Sequence, residues 1–144
     1  MAPRTDPLAE VAARLAALAE GSPEREVCGL VVRRPDGACE VRALENVAAR
    51  PEESFEIAPA ALLGVLEELD GEGGELLAVY HSHPRGGAGL SQRDLDAMLC
   101  DGEPLLEGVA QVVIALSGGL AEEVRAHRWD GQTYAQTRLP HRPT

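Results

Sequence analysis

His81-Ser82-His83-Pro84 is followed by a glycine-rich stretch and then by Ser91-Gln92-Arg93-Asp94. Two residues one apart point to the same face of an extended strand, so both imidazoles can converge on one cation. Asp94 falls one turn into a helix that begins near Ser91. Two His nitrogens and one Asp oxygen make three ligands and leave the fourth tetrahedral place to water, the arrangement of a catalytic rather than a structural zinc. A metal so held lowers the pKa of water toward neutrality and polarises the carbonyl under attack. The chemistry is hydrolysis, and its general base must come from elsewhere in the fold.

The same residues have plainer readings. Ser91-x-x-Asp94 is also a capping box, with Ser91 as the N-cap, and Asp94 would then do no more than favour the helix N-terminus electrostatically. The capping and ligand roles do not exclude each other. Other zinc signatures are missing: there is no His-Glu-x-x-His, and no deaminase pair of His-x-Glu with Pro-Cys-x-x-Cys.

The elements that must position these residues follow from periodicity and turn residues. Residues 8–20 carry Leu8, Val11, Ala12, Leu15, Leu18 and Ala19 at helical spacing, and Gly21-Ser22-Pro23 ends that pattern. Residues 27–34 read as a buried strand, Pro35-Asp36-Gly37 as a turn, and 38–46 as the hairpin partner. Residues 54–58 read as a short extended piece that turns Phe55 inward. Pro59 opens a helix over 60–69. A second buried strand covers 76–81, a mobile glycine loop 86–89, and a helix 91–100. Residues 109–116 form a strongly apolar strand, and 124–129 with 133–139 a closing hairpin around Asp130-Gly131. This order predicts an α/β fold of three layers, a central mixed sheet with helices on both faces. One domain spans residues 1–139, and the tail from Pro140 to Thr144 is expected to be disordered.

The bulk numbers narrow the partners. A chain of 144 residues supports a single core. A net charge of −11 disfavours nucleic acid and anionic membrane. No apolar run has the length of a membrane span, and Met1 to Pro7 lead into an amphipathic stretch rather than a signal-peptide apolar region. Three cysteines, Cys28, Cys39 and Cys100, form no Cys-x-x-Cys pair and read as reduced thiols in a cytoplasmic protein. All 13 basic residues are arginine, so no side-chain amine here can accept an isopeptide-linked modifier.

The pattern His81-x-His83-Pro84, with seven residues between His83 and Ser91, then Ser91-x-x-Asp94 resembles the JAMM (MPN-plus) zinc metallopeptidases. Glu26-Val27-Cys28-Gly29-Leu30 is similar to that family's Glu-x-x-Gly-x-Leu. Asn46-Val47-Ala48 with Phe55-Glu56-Ile57, and the hairpin from Val124 to Gly131, resemble segments of its compact prokaryotic members. The likeness runs over residues 8–139. It implies a cytidine-deaminase-like fold, one zinc per chain held by His81, His83 and Asp94, and Glu26 as the proton shuttle from attacking water to leaving amine. It also implies that Ser91 donates a hydrogen bond to the developing oxyanion. Without it, Glu26 reads as a surface residue of the acidic run Glu24-Arg25-Glu26. Leu90 departs from the Pro that many members carry before the motif Ser, which bears on substrate handling rather than on metal binding.

The resemblance further implies a peptidase or isopeptidase acting after the C-terminal Gly-Gly of a ubiquitin-like or sulfur-carrier protein. The extended tail of such a substrate would lie beside residues 55–59. The alternative is a non-catalytic binding or scaffold domain of the same fold. The sequence carries no sign of oligomeric state.

Overall fold

A computed structural model describes residues 6–142. A 3-10 turn, Ala9–Val11, leads into α1 (Ala12–Glu20), whose Leu15, Ala16 and Ala19 are buried together with Leu8 and Val11. The hairpin of β1 (Cys28–Arg33) and β2 (Cys39–Leu44) turns at Gly37, which has a positive φ of 89°. Then come α2 (Pro59–Glu72), β3 (Glu75–His83) and α3 (Gln92–Met98). Next is a small hairpin, β4 (Leu99–Cys100) with β5 (Glu103–Pro104), too short to leave a periodic signal in the sequence. The chain closes with β6 (Ala110–Ser117), β7 (Leu120–Trp129) and β8 (Tyr134–Leu139).

Six strands form one mixed sheet in the order β2-β1-β3-β6-β7-β8. All neighbours are antiparallel except β3 and β6. A parallel pair needs a crossover, and residues 84–109, including α3, provide it. Alternating side chains divide the sheet between two cores. Val31, Ala78, Tyr80, Val112, Ile114 and Val124 meet α1. Leu30, Val32 and Val79 meet Val65 and Leu69 of α2. Helices therefore lie on both faces, and the three-layer α/β expectation holds.

Gly29 is required by packing. A Cβ there would sit 2.3 Å from the Arg42 carbonyl and 2.7 Å from the buried Tyr80 ring. Two expectations need correction. The tail from Pro140 is not free throughout: His141 Nε2 lies 3.0 Å from the Ala121 carbonyl, and Arg142 bonds Glu20 at 2.8 Å. Residues 143 and 144 lie outside the described residues. The glycine loop is also anchored: Ala88 is buried against Val113 and Ala115.

Candidate metal centre and its supports

The centre lies where β3 ends, between antiparallel β1 and parallel β6. His81 stands opposite Cys28 of β1 and Val113 of β6. Its ring is fully buried, and that of His83 is 12% exposed. Ser82, between them, points to the other face. Its Oγ accepts the Val27 N–H at 2.8 Å, and its own N–H donates to the Val27 carbonyl at 3.0 Å. Ser82 thus ties the segment bearing Glu26 to the two histidines.

Three donor atoms meet in a near-equilateral triangle. His81 Nε2 and His83 Nε2 are 3.1 Å apart, and Asp94 Oδ2 lies 3.1 Å from the first and 3.2 Å from the second. Asp94 reaches this point from the first turn of α3, whose N-terminus is fixed by the capping box: Asp94 N–H donates to Ser91 Oγ at 3.0 Å, and Ser91 N–H to Asp94 Oδ2 at 2.9 Å. One carboxylate both caps the helix and faces the imidazoles. Burial works against the Asp94 anion, but its bonds to His81, His83 and the Ser91 N–H outweigh burial and hold its pKa well below the usual carboxylate range. Burial lowers the pKa of His81 against the pull of Asp94.

The triangle fits a small divalent cation. A tetrahedral site with bonds of about 2.0–2.1 Å has ligand-to-ligand edges of about 3.3–3.4 Å, close to the edges seen here. His83 Nδ1 lies 2.9 Å from the Gly87 carbonyl; a carbonyl only accepts, so Nδ1 carries the hydrogen. A neutral His83 then turns a lone pair, not a proton, toward Asp94 Oδ2. Two lone pairs at that separation repel unless a proton or a cation lies between them. The carbonyl bond is also the outer-shell support that orients a ligating histidine.

Glu26, although it follows two exposed residues, is 5% exposed, so the surface reading fails. A carboxylate oxygen of Glu26 and a ring nitrogen of each histidine lie within 4.8 Å of one another, a group that Asp94 does not join. Asp94, at 3.1–3.2 Å from both rings, is therefore the closer third donor, and Glu26 stands further out. Its Oε1 is buried without a hydrogen-bond partner among the described residues. Burial, aided by the Asp94 charge and opposed by His83 and Arg93, pushes the Glu26 pKa up to about 7.

Other residues support the centre. Asn46, two residues past the end of β2, uses its whole side-chain amide. Nδ2 donates to the Glu26 carbonyl at 2.9 Å and the Ser54 carbonyl at 3.0 Å; Oδ1 accepts from Ala48 N–H at 3.0 Å and Glu56 N–H at 3.1 Å. Phe55, held in that segment, stacks on His81 with ring centres 4.3 Å apart and planes at 19°. His127, buried in β7, anchors the glycine loop, its Nε2 donating to the Ala88 carbonyl at 2.8 Å. Trp129 and Tyr134 pack edge to face, their centres 5.1 Å apart, across the β7–β8 pair. The two adjacent polar groups Ser82 and His83 could have signalled the Ser82 tie; no local signal marks Asn46 or His127.

The model of a family described as prokaryotic homologs of the JAB domain matches residues 8–130. A desampylase of Haloferax volcanii is 27% identical over 120 residues, 82% of this chain and 79% of that protein. A probable TtuB-protein conjugate cleaving protease of Thermus thermophilus is 48% identical over 52 residues, 36% of this chain and 35% of that protein. The solution structure of a protein from Desulfitobacterium hafniense superposes with a TM-score of 0.63 at 22% identity, over 86% of this chain and 83% of that one. One from Salinibacter ruber gives 0.50 at 21% identity, over 99% and 100%. These two likenesses concern the fold alone.

Proposed function

This chain belongs to the family of prokaryotic homologs of the JAB domain, and on that premise we propose that it is a zinc-dependent peptidase or isopeptidase. Its substrate is the bond after the C-terminal Gly-Gly of a ubiquitin-like or sulfur-carrier protein. The observation that carries the reading is the triangle of His81 Nε2, His83 Nε2 and Asp94 Oδ2, with edges of 3.1–3.2 Å. Those three residues hold one zinc, which when bound supplies a Lewis acid for the scissile carbonyl and lowers the pKa of water. The relatives named as a desampylase and as a conjugate-cleaving protease favour a conjugate as substrate.

The chain's own residues do the rest. Glu26, with a pKa near 7, takes a proton from the attacking water and returns it to the leaving amine. Ser91 Oγ accepts the Asp94 N–H, so its hydroxyl hydrogen is free to turn to the developing oxyanion. An extended tail has an edge to pair with. Glu56 directs its carbonyl to the Val47 N–H and its N–H to Asn46. Among the described residues the backbone groups of Phe55 and Ile57, on the alternate side, have no hydrogen-bond partner. A tail laid there adds as a strand. No helix among the described residues is long and apolar enough to cross a membrane, and the three free thiols accord with a cytoplasmic setting.

The test is cleavage of a ubiquitin-like protein fused through its Gly-Gly tail to a reporter. Zinc-loaded wild type is expected to cut after the second Gly, and Glu26→Ala to bind zinc without cutting. Equal cleavage by Glu26→Ala, or cutting of unrelated peptides in preference, would refute the assignment; zinc binding with no cleavage by wild type would favour the scaffold alternative.

A further inference from the structure

A cavity of about 400 Å3 opens directly beside Asp94, and two glycines, which lack side chains, cannot occupy it. Its walls are mostly apolar, formed by Phe55 and Ile57 from the free edge, Met98 of α3 and Leu106. One wall residue does not match. Gln111 is 5% exposed, and its side-chain amide makes no hydrogen bond among the described residues. Neither amide atom is sealed from solvent, so both open onto the space a substrate must pass, where a ligand atom can take the place of water.

The register fixes which substrate residue reaches it. Gln111 of β6 pairs with Val79 of β3, two residues before His81 on the same face. At about 3.3 Å per residue along a strand, Gln111 lies about 7 Å along the sheet from the level of His81. Phe55 stacks on His81, and Ile57 is the next residue on that side of the edge. A tail added to this edge with its scissile carbonyl at the metal centre places its last Gly at the level of Phe55. The residue before the Gly-Gly pair, two positions back and on the same face, then falls at the level of Ile57 and Gln111.

We propose that this cavity is the subsite for the residue immediately before the Gly-Gly, and that Gln111 selects it for a long neutral side chain with an apolar stem and a hydrogen-bonding end, such as Gln or Tyr. The inference rests on the Gly-Gly reading above. Charged ends are disfavoured. A carboxylate would face Asp94 and Glu56, whereas a guanidinium would lose its water among Met98, Leu106 and Ile57 and find Asp94 already bonded to His81, His83 and the Ser91 N–H, with Glu56 out in solvent. Gln111 selects because a site built to hydrogen-bond a side chain is left unpaired by the analogue that lacks the group.

The experiment varies that one residue in the Gly-Gly reporter fusion among Gln, Met, Tyr, Phe, Arg and Ala. kcat/KM is measured for the zinc-loaded wild type and for Gln111→Leu and Gln111→Met, each checked for zinc content and thermal unfolding. The expected result is a wild-type preference for Gln over Met and for Tyr over Phe of about fivefold. Both variants should lose or reverse that preference. Equal rates within about twofold for Gln and Met in the wild type, a preference that survives in both variants, or Arg as the best residue would overturn the subsite. If wild type cleaves every fusion alike, only the subsite fails; if it cleaves none while holding zinc, the proposed function fails with it.

Discussion

Asn46 donates from Nδ2 to the main-chain carbonyl of Glu26 across 2.9 Å, and through Oδ1 accepts the Glu56 N–H at 3.1 Å. One buried amide therefore links the residue assigned as proton shuttle to the segment that stacks Phe55 on His81. Asn46→Ala leaves those main-chain groups without partners and should cost about 2–3 kcal/mol of stability. Below the melting transition, kcat should fall with KM and zinc content little changed. Thermal unfolding with steady-state kinetics checks this; an unchanged kcat would confine Asn46 to stability.

His83 should depend on a residue that never touches it. His127 holds the Ala88 carbonyl at 2.8 Å, and the neighbouring Gly87 carbonyl accepts from His83 Nδ1 at 2.9 Å. Removing an outer-shell support of a metal ligand typically costs 10–100-fold in affinity, and an indirect one belongs at the low end. His127→Phe should weaken zinc binding by about tenfold, read by chelator competition. Wild-type affinity in a folded variant would show that buried Ala88 alone anchors the loop.

Thiol labelling should be selective. Burial, with the Glu26 charge, pushes the Cys28 thiol up to about 11, and burial with a bond to Glu10 raises Cys39. Cys100 is exposed. Iodoacetamide near neutral pH should add one group to the native protein, at Cys100, and three after denaturation. Modification of Cys28 in the native protein would contradict its burial at the start of β1.

Acid should destabilise the fold partly through Glu20. It accepts the Ala121 N–H at 2.8 Å, the largest cause of its lowered pKa; burial opposes that, and Arg142 adds to it. A folded-state pKa below the unfolded value of about 4.3 stabilises the protein above that value, and the contribution disappears as pH falls through the folded pKa. The melting temperature should therefore drop between about pH 6 and about pH 3, and less steeply in Glu20→Gln. Parallel curves would remove Glu20 from the account.

What the sequence revealed depended on distance along the chain. His81, His83 and Asp94 belong to one strand–loop–helix unit, so period-two alternation and a capping box were enough to bring them together. Glu26 lies far away in sequence and was reachable only through a family pattern; its burial and its pKa near 7 come from β1 lying beside β3. The Asn46 links, the His127 bond to Ala88 and the docking of His141 and Arg142 join segments up to 122 residues apart. No local periodicity encodes such contacts. Gly86–Gly89 looked mobile because glycine weakens any local preference, yet the lone Ala88 side chain fills a hole over Val113 and Ala115.

The central claim is a metal held by three residues, and the most direct test is the zinc content per chain of wild type and of Asp94→Ala, both purified without chelator. One equivalent in the wild type and none in a folded variant is the predicted result. No zinc in the wild type after dialysis against zinc, or an equal content in both, would contradict it and leave Asp94 as a helix cap alone.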